Sequence, residues 1–97
     1  MTKIINIGAV KGRHEMPVTE FIFSDSIADP SDFVAIEKHV NNVLSDKVKS
    51  GDHITLYVTG LTVVTTAAIK FAVANQLHIT LMHFDNASGT YKPQSII

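Results

Sequence analysis

The sequence predicts an α/β fold, with a mixed sheet of about five strands and two main helices. Short apolar runs rich in β-branched residues alternate with two segments of helical periodicity, as is typical of this fold class. The strand–helix–strand unit over 52–84 has the length of a right-handed parallel crossover. The chain of 97 residues is long enough for one core, so residues 1–97 are expected to form a single domain.

The first two predicted strands are Lys3–Gly8 and Val18–Ser24, joined by a loop over Ala9–Pro17. Because nine residues are too few for a helical crossover, we expect these strands to pair antiparallel.

The sequence indicates where the first helix begins, which of its faces is apolar and where it ends. Asp29 can cap it, and Pro30 suits the first helical position. Ser50-Gly51 is the expected stop. The apolar residues at helical spacing form one stripe: Phe33, Ile36, Val40, Val43 or Leu44, and Val48. This pattern predicts an amphipathic helix lying on a sheet.

The second half of the chain is built around Tyr57–Asn75, where the third strand, Asp52–Thr59, turns into a helix at Gly60. Gly60 is expected to take a conformation closed to other residues and to let a ligand approach. Thr62 is the expected N-cap. The fourth strand is Leu77–Phe84, and a short edge strand over Thr90–Gln94 completes the sheet.

The second helix is apolar on nearly every side and carries one charge, Lys70. A helix that is hydrophobic all round is buried all round. We expect the flank that holds Val64, Ile69 and Phe71 to meet a second copy of the protein, giving a homodimer or higher homo-oligomer. The alternative is that the first helix covers this flank.

Composition excludes several classes of function. The net charge of −1 gives no electrostatic basis for binding long DNA or RNA. The chain has no cysteine, which rules out disulfides and thiolate metal sites. His78 and His83 are expected on opposite strand faces, so we expect no metal site and no cofactor. Without a signal-peptide pattern or a membrane-spanning run, we expect a cytoplasmic protein.

A ligand site is predicted at the carboxyl ends of the strands. If the first strand runs parallel to the third and fourth, segments 8–14, 60–66 and 83–86 meet at one edge. The first amides of the second helix offer a seat for an anion there. Thr59, Thr65 and Thr66 are expected to be free to contact a ligand.

The loop after the first strand holds Lys11, Arg13 and His14, which can clamp a phosphate or carboxylate. The alternative is a solvated hairpin loop. His14 and His83 are the two candidate catalytic acids or bases. The alternatives are an exposed loop histidine for the first and a hydrogen-bonded residue at the core edge for the second.

Two segments carry a resemblance to a known family. Tyr57-Val58-Thr59-Gly60-Leu61-Thr62, leading into an alanine-rich helix, resembles the Gly-Leu-Thr turn of CRISPR-associated Rossmann-like (CARF) sensor domains. Leu81–Gln94 is similar to the terminal hairpin of small accessory proteins of type III CRISPR systems. The resemblance implies a small CARF-like domain that binds cyclic oligoadenylate, the second messenger of this antiviral defence.

Family members bind this ligand across a two-fold dimer groove, with strand-end loops and helix N-termini. By position, the resemblance implies that two stretches bind the ligand: Gly60, Leu61, Thr62 and Val63, with Gly8 and Ala9 beside them.

The expected function is therefore to bind cyclic oligoadenylate, with cyclic tetra-adenylate as the expected ring, and to sequester or buffer it as a homodimer. One alternative is a ring nuclease, in which the ligand's 2′-hydroxyl attacks its own phosphate without a metal. Since the acid and base candidates are few, we expect binding without fast turnover. The other alternative is a small scaffold subunit with no nucleotide ligand, which the apolar helix supports.

Overall fold

The structure, a computed structural model, describes residues 2–12, 15–25 and 27–97. Its described part is one mixed five-stranded sheet with two helices, so the predicted fold class is confirmed. The elements in chain order are β1 (Ile4–Val10), β2 (Phe21–Phe23), α1 (Phe33–Ser45), β3 (His53–Tyr57), α2 (Thr62–Ala74), β4 (His78–Asp85) and β5 (Thr90–Ser95).

The strand order is β2-β1-β3-β4-β5, in which β5 runs antiparallel and the other four strands run parallel. The expected antiparallel pairing of the first two strands is therefore wrong. Gly8 lies opposite Phe21 and Val10 opposite Phe23 in parallel register. Because β2 overlaps only the end of β1, the chain has to return only about 7 Å along the strand. So short a return does not require a helical crossover.

Both helices lie on one face of the sheet. The connections through α1 and through α2 step across the sheet in the same direction, so right-handed crossovers place both helices on the same side. The two helices also contact each other. Buried side chains of the central strands form the floor of the core under them: Ile5, Ile7, Ile54, Leu56, Ile79 and Leu81.

The flank of α2 that was expected to form a dimer is covered within the chain. Val64 is 0% exposed and Phe71 is 7% exposed, and Ile69 packs against the core. Because α1 lies against α2, the alternative prediction applies, namely that the first helix covers this flank. The flank therefore gives no support to a dimer. Val73, 61% exposed, is the large apolar side chain that α2 leaves at the surface.

Helix α1 begins later and ends earlier than the sequence predicts. Its N-cap is Asp32, whose Oδ1 accepts a hydrogen bond from the N–H of Ala35 at 3.2 Å. Asp29 instead accepts hydrogen bonds from the backbone N–H and hydroxyl of Ser31, in a turn ahead of the helix. The buried stripe is Ile36, Val40 and Leu44. Phe33, expected in this stripe, is 55% exposed at the start of the helix.

Candidate functional site

The carboxyl ends of β1, β3 and β4 lie at one edge of the sheet because these strands are parallel. The condition that the sequence analysis set for a site at this edge is therefore met. Helices α1 and α2 also begin there, since each follows a strand that ends at this edge. Arg13 and His14, two of the predicted site residues, lie outside the described residues.

The N-terminus of α2 lacks the cap that was expected. Thr62 is the first helical residue, and Leu61 occupies the N-cap position. In the described part of the chain, no side chain hydrogen-bonds to the first amides of α2. The hydroxyl of Thr59 instead accepts from the N–H of Leu61 at 3.2 Å, which fixes the turn before the helix. The uncapped amides and the helix dipole favour an anion at this end.

Gly60 leaves space above this turn. Its expected special conformation is wrong, since the described glycines with positive φ are Gly12, Gly51 and Gly89. A Cβ added at Gly60 would meet no atom within 4 Å. A ligand can therefore approach the backbone here, because the turn is exposed and its surroundings are open.

A groove between the N-terminal halves of α1 and α2 lies beside the turn. It has a volume of about 320 Å³ and is lined by Phe33, Glu37, Thr62, Val63, Thr66 and Lys70. The ion pair between Lys70 Nζ and Glu37 Oε1, at 2.7 Å, links the two helices at this groove. The Phe33 side chain adds an exposed aromatic surface to its wall.

The groove combines predicted and unpredicted residues. Thr62, Val63 and Thr66 were predicted ligand contacts, and the structure places all three on its wall. Phe33 and the Glu37–Lys70 pair were not predicted as site residues from the sequence. The signal that could have found them was the position of Phe33 at a helix start, where an apolar side chain can extend beyond the end of the sheet.

The other threonine and leucine contacts are less accessible. Thr59 and Thr65 are partly buried, and Thr59 is already bonded to the turn. Leu61 is partly buried and packs against the core.

Gly8 and Ala9 lie inside β1, so the strand continues beyond its predicted end at Gly8, and the prediction that Ala9 belongs to the loop is wrong. Both are buried. A Cβ at Gly8 would lie 2.6 Å from the ring of Phe21 and 2.9 Å from the sulfur of Met16. Packing of these two side chains therefore accounts for the glycine. Ligand contact through Gly8 and Ala9 stays a prediction of the resemblance.

Lys11 and His83 lie apart from the groove lining. Lys11 lines a wide, open depression of about 730 Å³ together with Glu15 and Met16. His83 is exposed on β4, and its Nε2 donates to Oε1 of Gln94 at 2.7 Å. This contact matches the alternative of a hydrogen-bonded histidine, and it also fixes the orientation of the ring.

The opposite, amino-terminal edge of the sheet is closed by Asp52. Its buried carboxylate accepts hydrogen bonds from the N–H of Lys3 at 3.0 Å and of Lys49 at 2.9 Å. The hydrogen bond from Lys49, followed by that from Lys3, holds the pKa of Asp52 below its ordinary value. This carboxylate holds the fold together and lies at the edge of the sheet opposite the candidate site.

Among the described residues, no group of three or more His, Cys, Asp or Glu could hold a metal ion. Over the same residues, neither the length nor the apolar character of any helix suffices to cross a bilayer.

Together, the fold and the edge define a small α/β domain whose candidate site suits a ligand that carries both an anionic group and a flat apolar part. No family model, curated protein or solved structure matches the chain.

Proposed function

We propose that the protein binds cyclic oligoadenylate, with cyclic tetra-adenylate as the expected ring, and sequesters it as a homodimer in the cytoplasm. The observation that supports this most is the placement of an uncapped helix N-terminus directly beside a groove with an exposed aromatic wall. An adenylate unit needs both features, one for its phosphate and one for its base.

The phosphate is assigned to the start of α2. The N–H groups of Thr62 and Val63 lie in the first turn, where the helix dipole favours negative charge. Gly60 leaves the approach to this turn open. The phosphate can therefore reach the backbone donors without displacing a side chain.

The base is assigned to the groove. The exposed ring of Phe33 can stack on adenine, since every nucleobase presents a flat π-face. Thr66 supplies a hydroxyl on the opposite wall, and Glu37 and Lys70 supply an acceptor and a donor. Adenine presents both donors and acceptors on its edges, so these groups match its chemistry.

Binding of this kind gives the protein the role of a buffer in type III CRISPR antiviral defence. A protein that holds the messenger lowers its free concentration without destroying it.

A ring nuclease is the second candidate, and the observation that favours it is His83. This exposed histidine lies on β4, whose carboxyl end is at the same edge of the sheet as the groove, and its ring is oriented by Gln94. An oriented imidazole can act as a general acid or base.

Isothermal titration calorimetry with cyclic tetra-adenylate tests the proposal. We expect Phe33→Ala to weaken binding by about 5- to 150-fold, the range for losing the stacking of one base. Val34→Ala is the matched control: Val34 is the next residue of α1 and is 81% exposed, outside the groove lining. It should leave the affinity unchanged.

The absence of heat with cyclic oligoadenylates of any ring size would overturn the proposal and favour a scaffold subunit. Chromatography of the ligand after incubation separates the two remaining functions. Intact ligand supports sequestration, whereas linear products that disappear in His83→Ala support the ring nuclease.

A further inference from the structure

One face of the sheet carries no helix. Since α1 and α2 both pack on the other side, the alternate residues of the strands are left on an uncovered surface, which we call the open face. On the three central strands it presents Ile4 and Asn6 of β1, His53 and Thr55 of β3, and His78 and Thr80 of β4. The segment that precedes β2 reaches across the carboxyl end of this face, where Met16 lies over Gly8 and the carbonyl of Glu15 accepts a hydrogen bond from the hydroxyl of Tyr91 at 3.4 Å.

The open face is unusual for the type of sheet to which it belongs. Parallel sheets occur almost always with both faces covered, because their connections place helices on both sides. Here β1, β3 and β4 are parallel, yet the helices cover one side of them. Ile4 is 65% exposed on this face. A parallel sheet with one uncovered face indicates that another layer belongs there.

The strand positions of the open face carry no formal charge. The alternate positions from Ile4 in β1, His53 in β3, His78 in β4 and Tyr91 in β5 include no Asp, Glu, Lys or Arg. The chain holds 8 basic and 9 acidic residues, so their absence from these strand positions sets them apart from the rest of the chain.

Side chains on the open face are ordered by contacts with one another. The rings of His53 and His78 stack with centroids 6.0 Å apart, and Nε2 of His53 lies 2.8 Å from the hydroxyl of Thr80. Tyr91 packs edge-on against both Tyr57 and Phe84, at 5.0 and 5.4 Å. Burial of the Tyr91 hydroxyl raises its pKa. A face of this kind is preorganised for a partner, because few side chains have to be ordered on binding.

We propose that a second copy of this chain covers the open face, sheet against sheet. An isologous interface requires a surface that is complementary to itself, and a face without formal charge meets another copy of itself without repulsion. The inference rests on the homodimer of the proposed function, but it is independent of the identity of the ligand. It also replaces the buried flank of α2 as the dimer interface.

The size of the open face is sufficient for a weak interface. The four strands β1, β3, β4 and β5, spaced about 4.8 Å apart and contributing about five residues each, give a flat area of about 320 Å². Accessible area exceeds flat area, but two facing copies stay within the low end of specific interfaces, below about 1,200 Å² in total, so we expect a weak dimer.

The arrangement has a consequence for the ligand site. A two-fold axis parallel to the strands brings the carboxyl edges of both sheets to the same end of the dimer, with the sheets about 10 Å apart. The two copies of the Gly60 turn then lie at the same end of the dimer. Because α1 and α2 lie on the outer sides of the paired sheets, the two grooves are on opposite sides of the dimer, and each copy provides a complete site for its own ligand.

Sedimentation equilibrium without nucleotide tests the interface. We expect the wild-type chain to dimerise, and we expect Thr55→Lys and Ile4→Lys to raise the dimer dissociation constant by at least about tenfold, because each buries a charge. Val73→Lys is the matched control, since it adds the same charge at similar exposure on α2. Circular dichroism of each variant verifies that it remains folded, and Ile4 is exposed enough for the monomer to tolerate lysine.

A dimer that Val73→Lys dissociates and Ile4→Lys does not would overturn the proposal in favour of a helix interface. A wild-type chain that stays monomeric at concentrations up to about 0.5 mM would also overturn it, and would leave the open face to a different protein. Because no nucleotide is present, this result is separate from the calorimetry: a monomer that binds cyclic tetra-adenylate overturns the interface alone, and a dimer that binds none overturns the ligand alone.

Discussion

Backbone N–H groups have different partners at the two ends of the sheet. At the amino end, the backbone N–H groups of Lys3 and Lys49 point at the buried carboxylate of Asp52, which accepts from both. At the carboxyl end, the first N–H groups of α2 receive no side-chain cap, because Leu61 stands at the N-cap position. Backbone donors thus have a side-chain acceptor at the amino end, whereas those at the start of α2 have none.

This difference predicts that the amino end of the sheet contributes mainly to stability and the carboxyl end mainly to ligand binding. Asp52 joins the start of β1 to the loop before β3, and its own backbone carbonyl accepts from the N–H of His78, so three segments meet at one residue. At the other end the Gly60 turn has open space around it. We therefore expect substitutions at the amino end to change the melting temperature, and substitutions at the carboxyl end to change ligand affinity.

The largest expected effect on the fold is that of Asp52→Ala. This substitution leaves two partly buried N–H groups without an acceptor, so we expect the Tm to fall by roughly 5–10 °C. Differential scanning calorimetry measures the Tm, and calorimetric titration well below it should find unchanged affinity for cyclic tetra-adenylate.

Asp46→Ala is the matched control, because it removes an exposed carboxylate from the end of the neighbouring helix. Equal decreases in Tm for the two variants would show that Asp52 has no special role and would remove the contrast between the two ends.

The opposite pattern is expected for Gly60→Val. A Cβ at this position meets no neighbouring atom within 4 Å, and Gly60 is not among the glycines with positive φ, so we expect the Tm to change by less than about 2 °C. The same side chain would occupy the space over the α2 amides, and we expect ligand affinity to fall by about tenfold or more. Gly60→Ala, with a smaller side chain, should give an intermediate loss. A Gly60→Val protein that binds normally would place the ligand elsewhere.

The sequence predicted the β3–α2–β4 unit well because its signals are local. The alternation of Ile54 and Leu56 with polar residues, the apolar helix and the run around Ile79 fixed the order of elements and the parallel pairing. These patterns also located the Gly60 turn at the end of β3. Each depends on neighbouring residues alone, so no knowledge of distant contacts was needed.

The wrong predictions and the missed site residue have a different cause. Each of these features depends on contacts between residues that are distant in the sequence. The parallel pairing of β1 with β2 brings Gly8 opposite Phe21, and Gly8 is required by the packing of Phe21 over it. The burial of Val64 and Phe71 depends on the position of α1. Likewise, Phe33 became a groove residue only once both helix starts were placed at the same edge.

The smallest expected effect is a pH dependence that originates at the amino end. Since the hydrogen bonds from Lys49 and Lys3 hold the pKa of Asp52 in the folded protein below its unfolded value, the stabilisation is fully present above the unfolded pKa, near pH 4. It is lost as the pH falls from there through the folded pKa. We therefore expect the Tm of the wild type to decrease between pH 5 and pH 3 more than that of Asp52→Ala, because the variant lacks this group.

Glu20 and Asp29 also have lowered pKa values, because of Lys47 and Ser31 respectively. Since both proteins contain these two groups, their contributions cancel in the difference between the two Tm decreases. If the Tm of the two proteins decreased equally between pH 5 and pH 3, the contacts of Asp52 would be as strong with a protonated carboxyl as with a carboxylate. The proposed chemical difference between the two ends of the sheet would then be wrong.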